Sequence, residues 1–234
     1  MPTYQLLTDR VLANPTAITP TTLIHIVTTD DVSQNPAGSS YKAELGQLSS
    51  LFSGSTFTYE IGQYVADQGG VIAHRWLSTT AGGSPTIGTV QNYLVVDITD
   101  LSSSAQYASL NANIPNVESN WDGETNTSNL ISAGAGSGII AGTAAVLCDN
   151  STNNGKNDWY LPAIDELSKI WRNRWDIAQG ISNGGGIQLA FGSYWCSSEY
   201  DTTNSWFFDF FNGSAGILNK SISLDVRAVR KFNI

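Results

Sequence analysis

Tyr194-Trp195-Cys196-Ser197-Ser198-Glu199-Tyr200 and, after three residues, Asn204-Ser205-Trp206-Phe207-Phe208-Asp209-Phe210-Phe211-Asn212-Gly213 form the stretch on which the reading of this chain turns. Taken with a period of two, Trp206, Phe208 and Phe210 fall on one face of a strand, and Phe207, Asp209 and Phe211 on the other. The first set must be the core set, because a slip of one residue would bury Asp209 without a partner. The second set then points outward, joined by Tyr200, Asp201, Thr202 and Asn204 from the preceding turn. Ser214, Ile217, Leu218, Ser221 and Ser223 are the looser candidates beyond Gly213. Large aromatics beside an acid and a polar loop predict a contact surface rather than an active site.

Around this stretch the chain reads as mixed helix and strand. On its C-terminal side Ile222, Leu224, Val226 and Ala228 share a strand face. On its N-terminal side, Pro162 suits the first turn of a helix in which Asp165 and Glu166 complement the dipole. Ile164, Leu167 and Trp171 make that helix's buried stripe, and Gly184-Gly185-Gly186 ends the region. Residues 126–148 predict two helical pieces broken at 134–138, and 101–110 a further short helix. The apolar runs at 71–76 and 92–97 predict paired strands with a long tip.

The first 55 residues read as a separate small module. Leu23-Ile24-His25-Ile26-Val27 suits a buried strand, Asn35-Pro36-Ala37-Gly38-Ser39-Ser40 is turn chemistry, and 42–52 carries Leu45, Leu48 and Phe52 at helical spacing. So small a module without cysteines would be marginal alone, so oligomerisation is expected. Residues 19–27 and 33–43 together resemble a segment of virion structural proteins of large tailed phages and related viruses.

Composition closes off several classes. Lys+Arg 11 against Asp+Glu 20 gives a net charge of -9, which argues against nucleic-acid binding. No apolar run is long enough for membrane insertion, and residues 1–10 lack a basic segment followed by an apolar core. Assembly in the cytoplasm, or exit other than by cleaved secretion, is therefore expected. Cys148 and Cys196 cannot form a disulfide framework and are expected to be buried free thiols. His25 and His74 read as structural, no hydrolase, phosphate-loop or zinc-protease motif is present, and no enzymatic activity is expected. The oxygen-rich loop of Asp149, Asn150, Asn153, Asn154, Asn157 and Asp158 reads as a solvated turn, so neither metal nor cofactor is expected. Arg227 and Arg230 should pair with acids in the fold.

A wider set of motifs carries a resemblance. Gly69-Gly70-Val71-Ile72, Ala144-Ala145 with Cys148, Asp158-Trp159-Tyr160-Leu161-Pro162 with Glu166-Leu167, 194–200, Trp206 with Asn212-Gly213, and Val226-Arg227-Ala228-Val229-Arg230 occur in the order of the Lcl C-terminal-like domain. The resemblance spans about 58–234, with Cys196 standing where that family usually has Ser. It implies an α+β fold of C-type-lectin type, related in architecture to formylglycine-generating enzymes, with short antiparallel strands and two helices. This domain, 56–234, would follow the β-rich module of 1–55.

A subset of the family resembles the variable proteins of diversity-generating retroelements, in which adenines of a C-terminal repeat are randomised. An Asn codon so treated reaches Phe and Asp but not Trp, Glu or Lys. That resemblance implies variable Phe207, Asp209 and Phe211 on a fixed scaffold of Glu199, Trp206 and Lys220. A Ser codon changed in the same way gives Cys, which accounts for Cys196. The function implied is a virion fibre or surface-displayed protein that binds a host-surface protein or glycan. Its N-terminal module would join other virion proteins in a homotrimer. The alternatives are a structural virion decoration with no receptor role and a location on the bacterial cell surface.

Overall fold

In a computed structural model the residues described are 57–86, 88–109, 111–137 and 143–234, with the strands Leu23–Thr28 (β1) and Ser39–Glu44 (β2). The pair β1–β2 is antiparallel, with Leu23 opposite Glu44 and Thr28 opposite Ser39. Lys42 to Glu44 therefore belong to a strand, not to the start of a helix. The remaining expectations for the first module, a turn at 35–38 and a helix beyond 44, lie outside the described residues.

Residues Phe57–Ile234 form a compact unit. Its first sheet has the order β11-β5-β4-β3, from Tyr64–Val65 (β3), Gly70–Ser78 (β4), Val90–Asp97 (β5) and Val229–Asn233 (β11). All its pairs are antiparallel, with a bulge between Ile72 and His74 on β4. The continuous apolar runs of β4 and β5 have a physical cause: both faces of this sheet are covered. Ile72, Tyr93 and Val95 enter one core cluster, and Val71, Ala73, Leu94 and Val96 another.

The second sheet has the order β6-β10-β7-β8-β9. Its strands are Ser102–Gln106 (β6), Ser193–Glu199 (β7), Asn204–Asp209 (β8), Ser214–Asn219 (β9) and Ser223–Val226 (β10). Only β10 and β7 run parallel. Trp195, fully buried on β7, donates its indole N–H to the carbonyls of Ala105 (3.0 Å) and Ile222 (3.2 Å). This ties three neighbouring segments through one side chain.

Four α-helices are described where the lectin-type resemblance implied two: Gly123–Ser137 (α1), Ala144–Asp149 (α2), Ile164–Arg172 (α3) and Arg174–Asn183 (α4). Three expectations change. Residues 102–106 are a strand, because pairing with β10 and burial of Ala105 and Tyr107 outweigh a weak helical spacing. α1 runs through the glycines at 134 and 136, so a break does not fall there. α3 begins one residue after Ala163, leaving Pro162 outside the first turn. Its free N–H groups find side chains instead: Glu166 accepts from Ala163 N–H at 2.9 Å, and Ser198 of β7 accepts from Ile164 N–H at 3.2 Å.

The charged residues expected to pair do so. Arg227, fully buried, meets Asp100 at 2.6 Å, and Arg230 meets both carboxylate oxygens of Asp158. Both cysteines are buried and free. In the oxygen-rich loop, Asn153 donates to Asp97 and Asn154 to the Gly69 carbonyl, so these amides brace neighbouring segments. Among the described residues no helix is long and apolar enough to cross a membrane.

Candidate functional site

Residues 194–213 fold as the strand pair β7–β8 and, with the segment that follows, the hairpin β8–β9, with β9 at the sheet edge. Residues 210–213 make the turn of the hairpin, and Gly213 closes it by donating its N–H to the Asp209 carbonyl at 2.8 Å. Gly213 has φ +77°, and a Cβ there would stand 2.3 Å from the Trp171 ring. The turn thus lies against α3 as closely as a backbone can.

One face of the hairpin is core, as the period of two predicts. Phe208 and Phe210 are buried, 5.6 Å apart in an edge-to-face arrangement, and Trp206 packs half-buried on the same cluster. The other face is not free. Phe207 is half-buried against the opposite cluster, and its ring covers Gly216, where a Cβ would come within 2.6 Å. Leu218, also half-buried, packs against that same cluster. The outward orientation expected for Phe207 is therefore corrected. The first core cluster lines this face of β8 and takes most of the Phe207 ring out of water.

The polar members of the expected set are largely occupied with the backbone around them. Asp201 accepts hydrogen bonds from Asn204 Nδ2, the N–H groups of Thr203 and Asn204, and the Thr203 hydroxyl. The Asn204 side chain foremost, then the Thr203 N–H, hold the carboxyl down at about 2. Asp209, half-buried, accepts the Phe211 N–H at 2.8 Å. Ser214 donates through its N–H and its hydroxyl to Asn212. Thr202 is exposed, while its carbonyl accepts from Lys220 at 3.1 Å. These groups shape the turns from which the apolar side chains project.

Three large side chains of the set are exposed: Phe211 at 77%, Tyr200 at 52% and Ile217 at 42%. Tyr200 meets Trp206 edge-on at 5.5 Å, and Trp206 lies opposite Ile217 in the β8–β9 register. These form one group at the open end of the hairpin, whereas Phe211 stands at its tip. The structure therefore divides the expected surface into two parts.

At the open end of the hairpin is a buried ion pair. Lys220 Nζ lies 2.9 Å from Glu199 and donates to the carbonyls of Ala112 (2.7 Å) and Thr202. Glu199 also accepts the Ile114 N–H at 3.1 Å, and burial raises its carboxyl pKa despite Lys220. Two residues assigned to a fixed scaffold are thus in contact and anchor the 111–114 and 200–203 loops.

A neighbouring apolar groove was not read from the sequence. It has a volume of about 460 Å³ and is lined by Trp175, Leu189, Ala190, Phe191 and Phe210, with Arg174 over the rings of Trp171 and Trp175. Phe210 N–H donates to the Gly192 carbonyl, which brings this groove to the hairpin turn. Exposed Trp175 and Phe191 gave a signal only in being large aromatics flanked by polar or small residues.

The profile of the Lcl C-terminal domain matches residues 117–230. This segment is similar to that domain from the approach to α1 to the start of β11; the match leaves out β3 to β6. No curated protein matches the chain.

Proposed function

We propose that this chain is a receptor-binding protein, displayed on a virion or cell surface, whose C-terminal domain holds a host-surface ligand without transforming it. The observation that carries the reading is the exposure of Phe211, Tyr200 and Ile217 on and beside a hairpin whose other large apolar side chains pack into the core clusters. Rigid apolar anchors ringed by small polar groups are what protein-binding surfaces use, because ordering them costs little entropy. The buried ion pairs support a binding role: each lies where it braces a loop. On this reading the domain is a C-type-lectin-type scaffold, and the first module joins it to other virion proteins as a trimer. Diversification by a retroelement would act on the exposed positions of the hairpin and spare Phe207, which has a packing role.

The test is adsorption of the labelled full chain to host bacteria. Saturable binding that excess unlabelled chain displaces supports the proposal. Binding that never saturates or is absent favours a structural decoration of the virion. A template repeat beside the coding region, with a reverse-transcriptase gene nearby, would support diversification.

A further inference from the structure

β9 is the outer strand of the second sheet, and two hydrogen bonds fix which of its backbone groups face away from β8. Lys220 N–H donates to the Thr203 carbonyl at 3.0 Å, and Phe210 N–H to the Gly192 carbonyl at 2.8 Å. The first turns the backbone of Lys220 toward β8, and with it, at every second residue, that of Leu218, Gly216 and Ser214. The second turns Phe208 and Phe210 toward β7, which leaves Phe207 and Asp209 to bond β9 opposite Gly216 and Ser214. Both give the same phase. The N–H and C=O groups of Ala215 and Ile217, and the N–H of Asn219, therefore point outward in the plane of the sheet. Among the described residues none of these groups has a partner.

The other three sheet edges of Phe57–Ile234 carry features that discourage the addition of a strand. β3 has two residues, β11 carries Arg230 and Lys231, and the pairing of β6 with β10 is interrupted by a register shift. β9 has six residues, no charged side chain, no proline and an unbroken register with β8. It also runs between the exposed anchors. Ile217 lies on β9 itself, Tyr200 meets Trp206 beside it at the open end, and Phe211 stands at the tip.

We propose that β9 receives an extended polypeptide segment of the host-surface ligand, which adds to the five-stranded sheet as a sixth strand. The proposal rests on the receptor-binding reading and narrows its ligand to polypeptide. The backbone selects that class: outward donors and acceptors recur at every second residue, about 7 Å apart, which is the repeat of an extended peptide. A side chain opposite Ile217 would continue the apolar row of Tyr200, Trp206 and Ile217, so an apolar residue is expected there. A second copy of this chain is a poor occupant, because each copy brings a formal net charge of -9.

The experiment selects binders to the full chain from a bead-bound library of random dodecapeptides and measures one selected peptide against variants. A dissociation constant of about 10–100 μM is expected, with apolar residues alternating in the peptide. Bound peptide should slow hydrogen exchange of the Ala215 and Ile217 amides at least about tenfold. Ala215→Pro removes one outward N–H, a change that an edge strand tolerates, and should weaken binding at least about tenfold. Ala215→Val, of similar bulk with the N–H kept, should bind within about threefold of the parent. Both variants should melt with the parent; if Ala215→Pro does not fold, the exchange measurement decides. No selected peptide, protection of some other segment, or undiminished binding by folded Ala215→Pro would each overturn the proposal. So would slow exchange at Ala215 and Ile217 without peptide, since the chain or a second copy would then already cover the edge. Adsorption to host bacteria separates the two readings. Equal adsorption by the parent chain and Ala215→Pro would overturn the edge proposal and leave the receptor reading standing. Peptide binding at β9 by a chain that does not adsorb would keep strand addition and remove the host surface as its source.

Discussion

His74 shows how a single side chain in this unit couples to solvent conditions. Burial first, and the nearby Lys169 ammonium second, lower its pKa from 6.5 to about 4. The unfolded chain takes up this proton at the ordinary value, so the contribution is complete above pH 6.5 and is lost as pH falls to about 4. His74→Phe should therefore flatten the fall in melting temperature across that window relative to the wild-type chain. Equal slopes for the two proteins would show that His74 titrates normally. The Glu199–Lys220 pair makes a second expectation at this scale. Lys220→Met leaves a buried carboxylate without its cation, which should cost about 3–5 kcal/mol in denaturant unfolding. Adding Glu199→Leu should recover a large part of that loss, because the orphaned charge is then gone.

The hairpin β8–β9 is the element in which packing and display divide. Phe208→Ser removes a buried ring and should cost about 3–5 kcal/mol. Phe207→Ser should cost about 1–3 kcal/mol, since the ring lies over Gly216 and the first cluster. A neutral result for Phe207 would restore the outward orientation expected from its alternation. Gly213→Ala should also destabilise measurably, because a Cβ would enter the Trp171 ring at a backbone conformation unfavourable to alanine. The contrast between Phe207 and Phe208 marks what the sequence made legible here. Alternation identified Trp206, Phe208 and Phe210 as one face, because strand geometry makes that period local. It could not show that the other face is also covered, since the cluster on that face is built largely from residues remote in the chain, such as Tyr107 and Leu130. The same cause hid β6: its pairing with β10 joins residues more than a hundred positions apart. The α3 helix was legible through its own spacing, while its cap from Ser198 was not. The groove beside Trp175 and Phe191 was missed because exposure of an aromatic is decided by the fold.

At the scale of the whole molecule, Phe57–Ile234 has its own two-cluster core and closes on itself when the last strand pairs with β5. A fragment beginning at residue 56 should therefore fold cooperatively and remain a monomer, while the full chain should sediment as a trimer if the first module drives assembly. An insoluble fragment, or a full chain that is monomeric at micromolar concentration, would count against that division of labour. The claim that joins fold to function is that the hairpin's exposed side chains bind while its buried ones fold. The most direct measurement pairs thermal melting with host-cell binding for one variant, Tyr200→Ser/Phe211→Ser/Ile217→Ser. The account predicts a melting temperature within about 5 °C of the parent chain and cell binding weakened at least about tenfold. A folded triple variant that binds host cells as well as the parent chain would contradict it.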